Sequence, residues 1–170
     1  RNCPLLRSLT DEYSISQPLK GIRVALSVHM EAKTALLCLT LKAAGAEVYA
    51  TGSNPLSTQD DVAAALAESG VNVFAWYDCT EKEYFDNIRK VLENNCQIIV
   101  DDGGDLVHML HTEMQDRIKY VIGGCEETTT GIIRLRAMAA NNSLKFPMIM
   151  VNDARCKHFF DNRYGTGQSV

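Results

Sequence analysis

The chain has 170 residues, 46% of them hydrophobic and 22% charged, the profile of one ordinary globular domain with a full core. A net charge of −4 argues against a broad nucleic-acid surface, which would show as a basic stripe, but leaves room for a local basic site. No apolar run approaches the ~20 residues needed to cross a bilayer, and Arg1-Asn2-Cys3-Pro4 lacks the basic start and long apolar stretch of a secretory leader. Neither nucleic acid nor a membrane is expected as a partner, and the chain reads as cytoplasmic.

Residues 1–20 read as a lead-in. Ile22 to Val28 is the first strand, followed by a helix over Lys33–Ala44 whose Leu36, Leu37, Leu39 and Leu41 form a wide apolar face. Gly45 is placed to end that helix in the left-handed conformation. Glu47–Thr51 is a second strand. Ser57-Thr58-Gln59-Asp60 leads an alanine-rich helix through Glu68, closed by Ser69-Gly70, and Asn72–Trp76 is a third strand. Thr80-Glu81-Lys82-Glu83 has capping-box spacing and opens a helix with a solvated face. Gln97–Val100 is a strand that runs into Asp101-Asp102-Gly103-Gly104, and a short helix follows. Tyr120–Gly123 is read as the next strand, Thr128–Ala140 as a helix, and Pro147–Val151 as the last strand.

Six alternations with near-continuous apolar strands predict an α/β fold: a doubly wound, mostly parallel, Rossmann-like sheet with helices on both faces. Phe74 and Trp76 are expected in its core. Six cysteines, Cys3, Cys38, Cys79, Cys96, Cys125 and Cys156, form no CxxC pair, so they are expected to be reduced and mostly buried rather than disulfide-bonded or zinc-bound. His108 and His111 share a helix face without an evident third ligand, so no metal is expected.

In such sheets ligands gather at the carboxyl ends of the strands. His29, Asn54, Ser57, Asp102, Glu126, Glu127, Asn152, Asp153 and Lys157 all fall at or just past predicted strand ends. Each has a plain alternative. Asp101-Asp102-Gly103-Gly104 can be a turn, Asp105 a helix cap, Glu126-Glu127 an acidic helix start, His29 a loop residue and Lys157 a solvated cation. Their convergence favours a site but names no reaction. There is no GxGxxG, the fingerprint that would let the chain hold a dinucleotide by itself.

Val28-His29-Met30, Asn54-Pro55-Leu56-Ser57-Thr58-Gln59-Asp60, Asp101-Asp102-Gly103-Gly104-Asp105, Glu126-Glu127-Thr128-Thr129-Thr130-Gly131, and Asn152-Asp153 with Lys157 and Phe160-Asp161-Asn162-Arg163-Tyr164-Gly165 resemble the S-adenosylhomocysteine hydrolases, in the family's order and spacing. The resemblance implies reversible hydrolysis of S-adenosyl-L-homocysteine to adenosine and L-homocysteine with a bound NAD. The 3'-hydroxyl is oxidised, homocysteine is eliminated, water adds at the 5' carbon, and the 3' ketone is reduced again. It implies Asp102 as base at the 4' carbon, Lys157 with Asp161 at the 3'-hydroxyl, and His29 near the 5' leaving group. Glu127 would hold the ribose hydroxyls, and Ser57 and Gln59 join the substrate contacts. Glu31, Lys33 and Thr34 would face the base, while Thr128, Thr129, Thr130 and Asn162 would touch the nicotinamide end of NAD.

Two departures stand out. Met30-Glu31-Ala32-Lys33-Thr34 has Glu31 and Lys33 where mammalian-type members carry threonine and glutamate, which looks closer to the archaeal and thermophilic branch and leaves inosine open as the nucleoside. Thr166 stands where many members have a cysteine. The resemblance implies a substrate-binding domain over 1–170, with 165–170 beginning a linker to an NAD-binding domain, inactive alone and homo-oligomeric when full length. The alternatives are a non-catalytic relative acting by binding a partner protein, and an unrelated nucleotide-binding module.

Overall fold

A computed structural model describes residues 3–165. Six parallel strands form one sheet in the order β3-β2-β1-β4-β5-β6. They are β1 (Arg23–Ser27), β2 (Glu47–Thr51), β3 (Asn72–Val73), β4 (Ile98–Asp101), β5 (Gly123–Glu126) and β6 (Met148–Met150). The helices are α1 (Pro4–Ser16), α2 (Ala32–Ala43), α3 (Asp60–Glu68), α4 (Glu81–Leu92), α5 (Asp105–Thr112) and α6 (Thr129–Ala140). No helix among the described residues is long and apolar enough to cross a membrane.

Alternation along the strands sends side chains into two separate cores. Ala25, Tyr49 and Ile99 point to the face covered by α4, α5 and α6, where Ile88, Val91, Leu106, Leu110 and Leu135 close over them. Val24, Leu26, Val48 and Ala50 point to the other face, against Cys38 of α2 and Ala63 and Leu66 of α3. The second covering stops short of β5 and β6. Ile122 and Ile149 are exposed there and line a shallow apolar hollow with Ile98, Cys125 and Pro147.

Several expectations are corrected. The lead-in contains α1, which starts with Pro4 at its first position, where a missing N–H costs nothing. It lies on α2 through the Thr10–Thr40 hydroxyl pair, 2.8 Å apart. The fifth strand is Gly123–Glu126 rather than Tyr120–Gly123, because Gln115–Tyr120 forms a 3-10 helix. Gly124 suits that strand for a steric reason: a Cβ there would collide with the Ile99 carbonyl of β4. The third strand pairs only at Asn72–Val73, and Trp76, at 38% exposure, lies outside the core. Only Cys38 and Cys96 are buried, Cys156 is exposed, and all six are free thiols. Residues 157–165 wind as a π-helix that no sequence period announces. The Thr166 position falls outside the described residues.

The strand order reverses between β1 and β4: from β1 the chain steps outward to β2 and β3, then returns to lay β4 on β1's other side. No connection bridges that seam at its carboxyl end, which opens a crevice.

Candidate functional site

Register decides which side chains meet in the crevice. Ser27 pairs with Asp101 across β1 and β4, so the next few residues, including His29 and Asp102, rise side by side. Asp101 pairs with Glu126 across β4 and β5, which makes Asp102 and Glu127 neighbours in the same way. Gly103 and Gly104 then turn with φ of 111° and 82°, a region that a side chain strains to enter, and aim the chain into α5.

The imidazole of His29 is held on both sides. The Ser57 oxygen lies 2.6 Å from His29 Nδ1 and 3.1 Å from the Asn54 carbonyl. Nε2 faces Asp102 Oδ2 at 3.5 Å. Asp102 Oδ2 also accepts from the Ser53 hydroxyl at 2.8 Å, and Thr34 donates to the His29 carbonyl at 2.5 Å.

Behind this layer lies a second, buried one. Asp101 is fully enclosed and accepts from the Asp102 and Val107 N–H groups. Burial pushes its carboxyl up to about 8, against the pull of the Val107 N–H, with the Glu126 and Asp105 carboxylates adding to the rise. Tyr84 donates to Asp105 Oδ2 at 2.9 Å and lies 3.3 Å from the Ser53 carbonyl, while Arg134 donates to Asp105 Oδ1 and to the Gly103 carbonyl. The Asp102 loop is therefore tied down from α4 and α6.

Glu127 is open to solvent, yet its carboxyl sits above the usual range. Desolvation is the main cause, followed by the Asp102 carboxylate, with Lys157 and His29 opposing. Lys157 Nζ donates to Asn152 Oδ1 at 2.7 Å, and Asn152 in turn donates to Thr129 at 3.2 Å. This carries the lysine from the segment after β6 to the first turn of α6.

A cavity of about 290 Å³ is lined by His29, Glu31, Lys33, Thr34, Glu127 and Asp161, with Leu6, Val28 and Leu37 as its apolar wall. An adjoining hollow of about 580 Å³ adds Ser57 and Gln59. Of the expected substrate residues, Glu31, Lys33, Thr34, Ser57, Gln59, Glu127 and Asp161 line one continuous surface and Asp102 is joined to it through His29, while Lys157 lines neither cavity. Thr128, Thr129, Thr130 and Asn162 lie outside both cavities. Thr130 is exposed on the first turn of α6, Asn162 is exposed on the π-helix, and the Thr128 N–H is turned inward to Glu126. His111, considered above as half of a metal pair, has both ring nitrogens engaged, Nδ1 with the Val107 carbonyl and Nε2 with the Lys145 N–H.

Residues 1–121 and 112–164 match the family model described as S-adenosyl-L-homocysteine hydrolase. The chain belongs to the S-adenosyl-L-homocysteine hydrolase family. Across its whole length it is 53% identical to an S-inosyl-L-homocysteine hydrolase of Methanococcus maripaludis, of which it covers 41%. It is 52% identical, again across its whole length, to an adenosylhomocysteinase of Pyrococcus abyssi, of which it covers 40%. Over 98% of the chain it is 55% identical to an S-inosyl-L-homocysteine hydrolase of Methanopyrus kandleri, covering 39% of that protein. The chain spans about two-fifths of the length of these curated relatives.

Within this hydrolase-family domain, sequence reasoning missed three contributors. Ser53 could have been suspected from its place just past β2, beside Asn54. Glu126 was grouped with Glu127, although one is buried and the other exposed. Leu6 had no signal, since it reaches the cavity from a helix that was not foreseen.

Proposed function

We propose that this domain binds the nucleoside half of an S-ribosyl-purine homocysteine thioether and, within the full-length protein, takes part in its reversible hydrolysis to the nucleoside and L-homocysteine. The observation that carries the reading is His29 and Glu127 lining one cavity, with Asp102 3.5 Å behind His29, in a chain of this family. A 4' hydrogen beside an oxidised 3' carbon is acidic enough for a carboxylate to remove, and Asp102 is the carboxylate assigned to it. Its neighbour His29 can carry the proton to the departing sulfur and later take one from the water that adds at the 5' carbon. Glu127, an acceptor-rich carboxylate, is assigned to the ribose hydroxyls. Lys157, held by Asn152, is assigned with Asp161 to the 3'-hydroxyl proton.

NAD, when bound, supplies hydride removal from the 3' carbon and its return. Thr129 and Thr130, exposed on the first turn of α6, and exposed Asn162 offer hydroxyls and a carboxamide. These neutral donors and acceptors fit a nicotinamide carboxamide, and Thr128 is assigned with them. The remainder of the cofactor would be held by other parts of the full-length protein. The same reading carries a cytoplasmic location and a homo-oligomeric assembly.

The base is read as adenine, with hypoxanthine as a second reading that Glu31 and Lys33 in the cavity wall equally accommodate. A carboxylate and an ammonium satisfy adenine through its 6-amino group and N1, and satisfy hypoxanthine through its N1–H and O6. The test is the full-length protein with NAD, offered S-adenosyl- and S-inosylhomocysteine, with nucleoside and homocysteine measured. Release from either establishes the hydrolase, and the kcat/KM ratio assigns the base. No NAD-dependent release from both would overturn the proposal.

A further inference from the structure

One buried carboxyl oxygen touches both halves of this site. Glu126 is the last residue of β5 and is 0% exposed. Its Oε1 accepts from the Gly103 N–H at 3.0 Å and from the Thr128 N–H at 2.9 Å. Gly103 directly follows Asp102, and Thr128 directly follows Glu127. Oε2 is enclosed without a partner, and the space it fills is kept by Gly131, where any Cβ would overlap the Glu126 carboxyl.

We infer that Glu126 is a positioning residue, whose single oxygen pins the chain just after Asp102 to the chain just after Glu127 and so sets the spacing between those two carboxylates. The inference rests on the proposed hydrolase reading for what the spacing serves. Burial followed by the nearby Asp102 and Glu127 carboxylates raises the Glu126 carboxyl above its usual range, against the two N–H groups. Both bonds end on the one oxygen Oε1, so an uncharged group that still accepts them fills this role. Asp101 differs from it: its two oxygens hold one N–H each, both within its own loop and the helix that follows.

The test uses the full-length protein with three substitutions. Glu126→Gln keeps the accepting oxygen, Glu126→Met keeps the volume without an acceptor, and Gly131→Ala pushes the carboxyl off its seat. Misplacement of reacting groups by a fraction of an ångström is expected to cut kcat per NAD-loaded site on the order of 10- to 100-fold in the Met and Ala variants, with Gln staying within about threefold and keeping the parent pH–rate profile. A role confined to stability would lower the folded fraction and leave kcat per loaded site alone. Hydrogen exchange at segments 101–107 and 126–130 gives a second readout independent of turnover. Protection should fall in the Met variant and persist in Gln. If Gln is as slow and unprotected as Met, or Met matches the parent in both readouts, the inference is overturned. A parent without hydrolase activity would instead remove the proposed function, and the exchange data would still decide the clamp.

Discussion

Asp101 makes the pH dependence of stability testable at a single atom group. Its carboxyl ionises near 3.8 when exposed and at about 8 in the folded chain, because burial opposes the charge. Between those values the unfolded chain has released this proton and the folded chain has kept it. The folded state binds more protons, so stability falls as pH rises through the window. The gap is roughly four pH units, and at about 1.4 kcal/mol per unit the loss is on the order of 5 kcal/mol. Asp101→Asn removes the titration and keeps the shape. It gives up one of two accepted N–H bonds, since an amide has one oxygen, at a cost of about 1 kcal/mol at pH 4. Chemical denaturation of parent and variant from pH 4 to 9 should show curves that cross: the parent is the more stable at the acid end and the variant at the alkaline end. Glu126 and Glu127 titrate in both proteins, so the difference between the curves reports Asp101 together with its coupling to Glu126. A variant that loses as much stability as the parent across this window would refute the reasoning.

Three further outcomes are expected. Asp102→Asn should lower single-turnover hydrolysis by roughly 10²- to 10⁴-fold while nucleoside binding persists, and a rate within threefold of the parent would remove Asp102 from proton transfer. Tyr84→Phe takes a hydroxyl from Asp105 and from beside the Ser53 carbonyl, so about 1 kcal/mol of stability should go, measured by denaturant midpoint, together with a lower kcat as the Asp102 loop loosens. Leu106→Ala empties a site with 0% exposure in the α5 core and should cost about 2–5 kcal/mol with the slope of the denaturation curve unchanged.

Strands β1, β2 and β4 were legible because both of their faces are buried, which writes them as unbroken apolar runs. Capping chemistry was equally plain: the Thr80 hydroxyl and Glu83 carboxylate exchange bonds with each other's N–H groups at the start of α4. What escaped was specified by contact rather than by pattern. β5 begins Gly-Gly, which reads as a break, and only the closeness of Pro147 beside Gly123 and of Ile99 and Met148 beside Gly124 explains why side chains are excluded there. α1 has no fully buried residue, only a half-buried stripe of Leu6, Leu9, Thr10 and Tyr13 interleaved with polar residues. For the site, the residue types and strand ends were readable, but the division of labour between Asp101 and Asp102, or Glu126 and Glu127, was not. Adjacent strand residues point to opposite faces, and which of two carboxylates is enclosed depends on the helices packed over it.

The seam between β1 and β4 also has a consequence in time. Asp102 reaches His29 only when β4 pairs with β1, and three helices and two strands of chain lie between them. Closing so long a loop is entropically slow, and contacts of this kind form late. The β1–β2–β3 side can assemble earlier, as each of its strands lies next to its predecessor. A substitution that delays seam closure is therefore expected to lengthen the time for which the apolar flank of β1 stands open to aggregation.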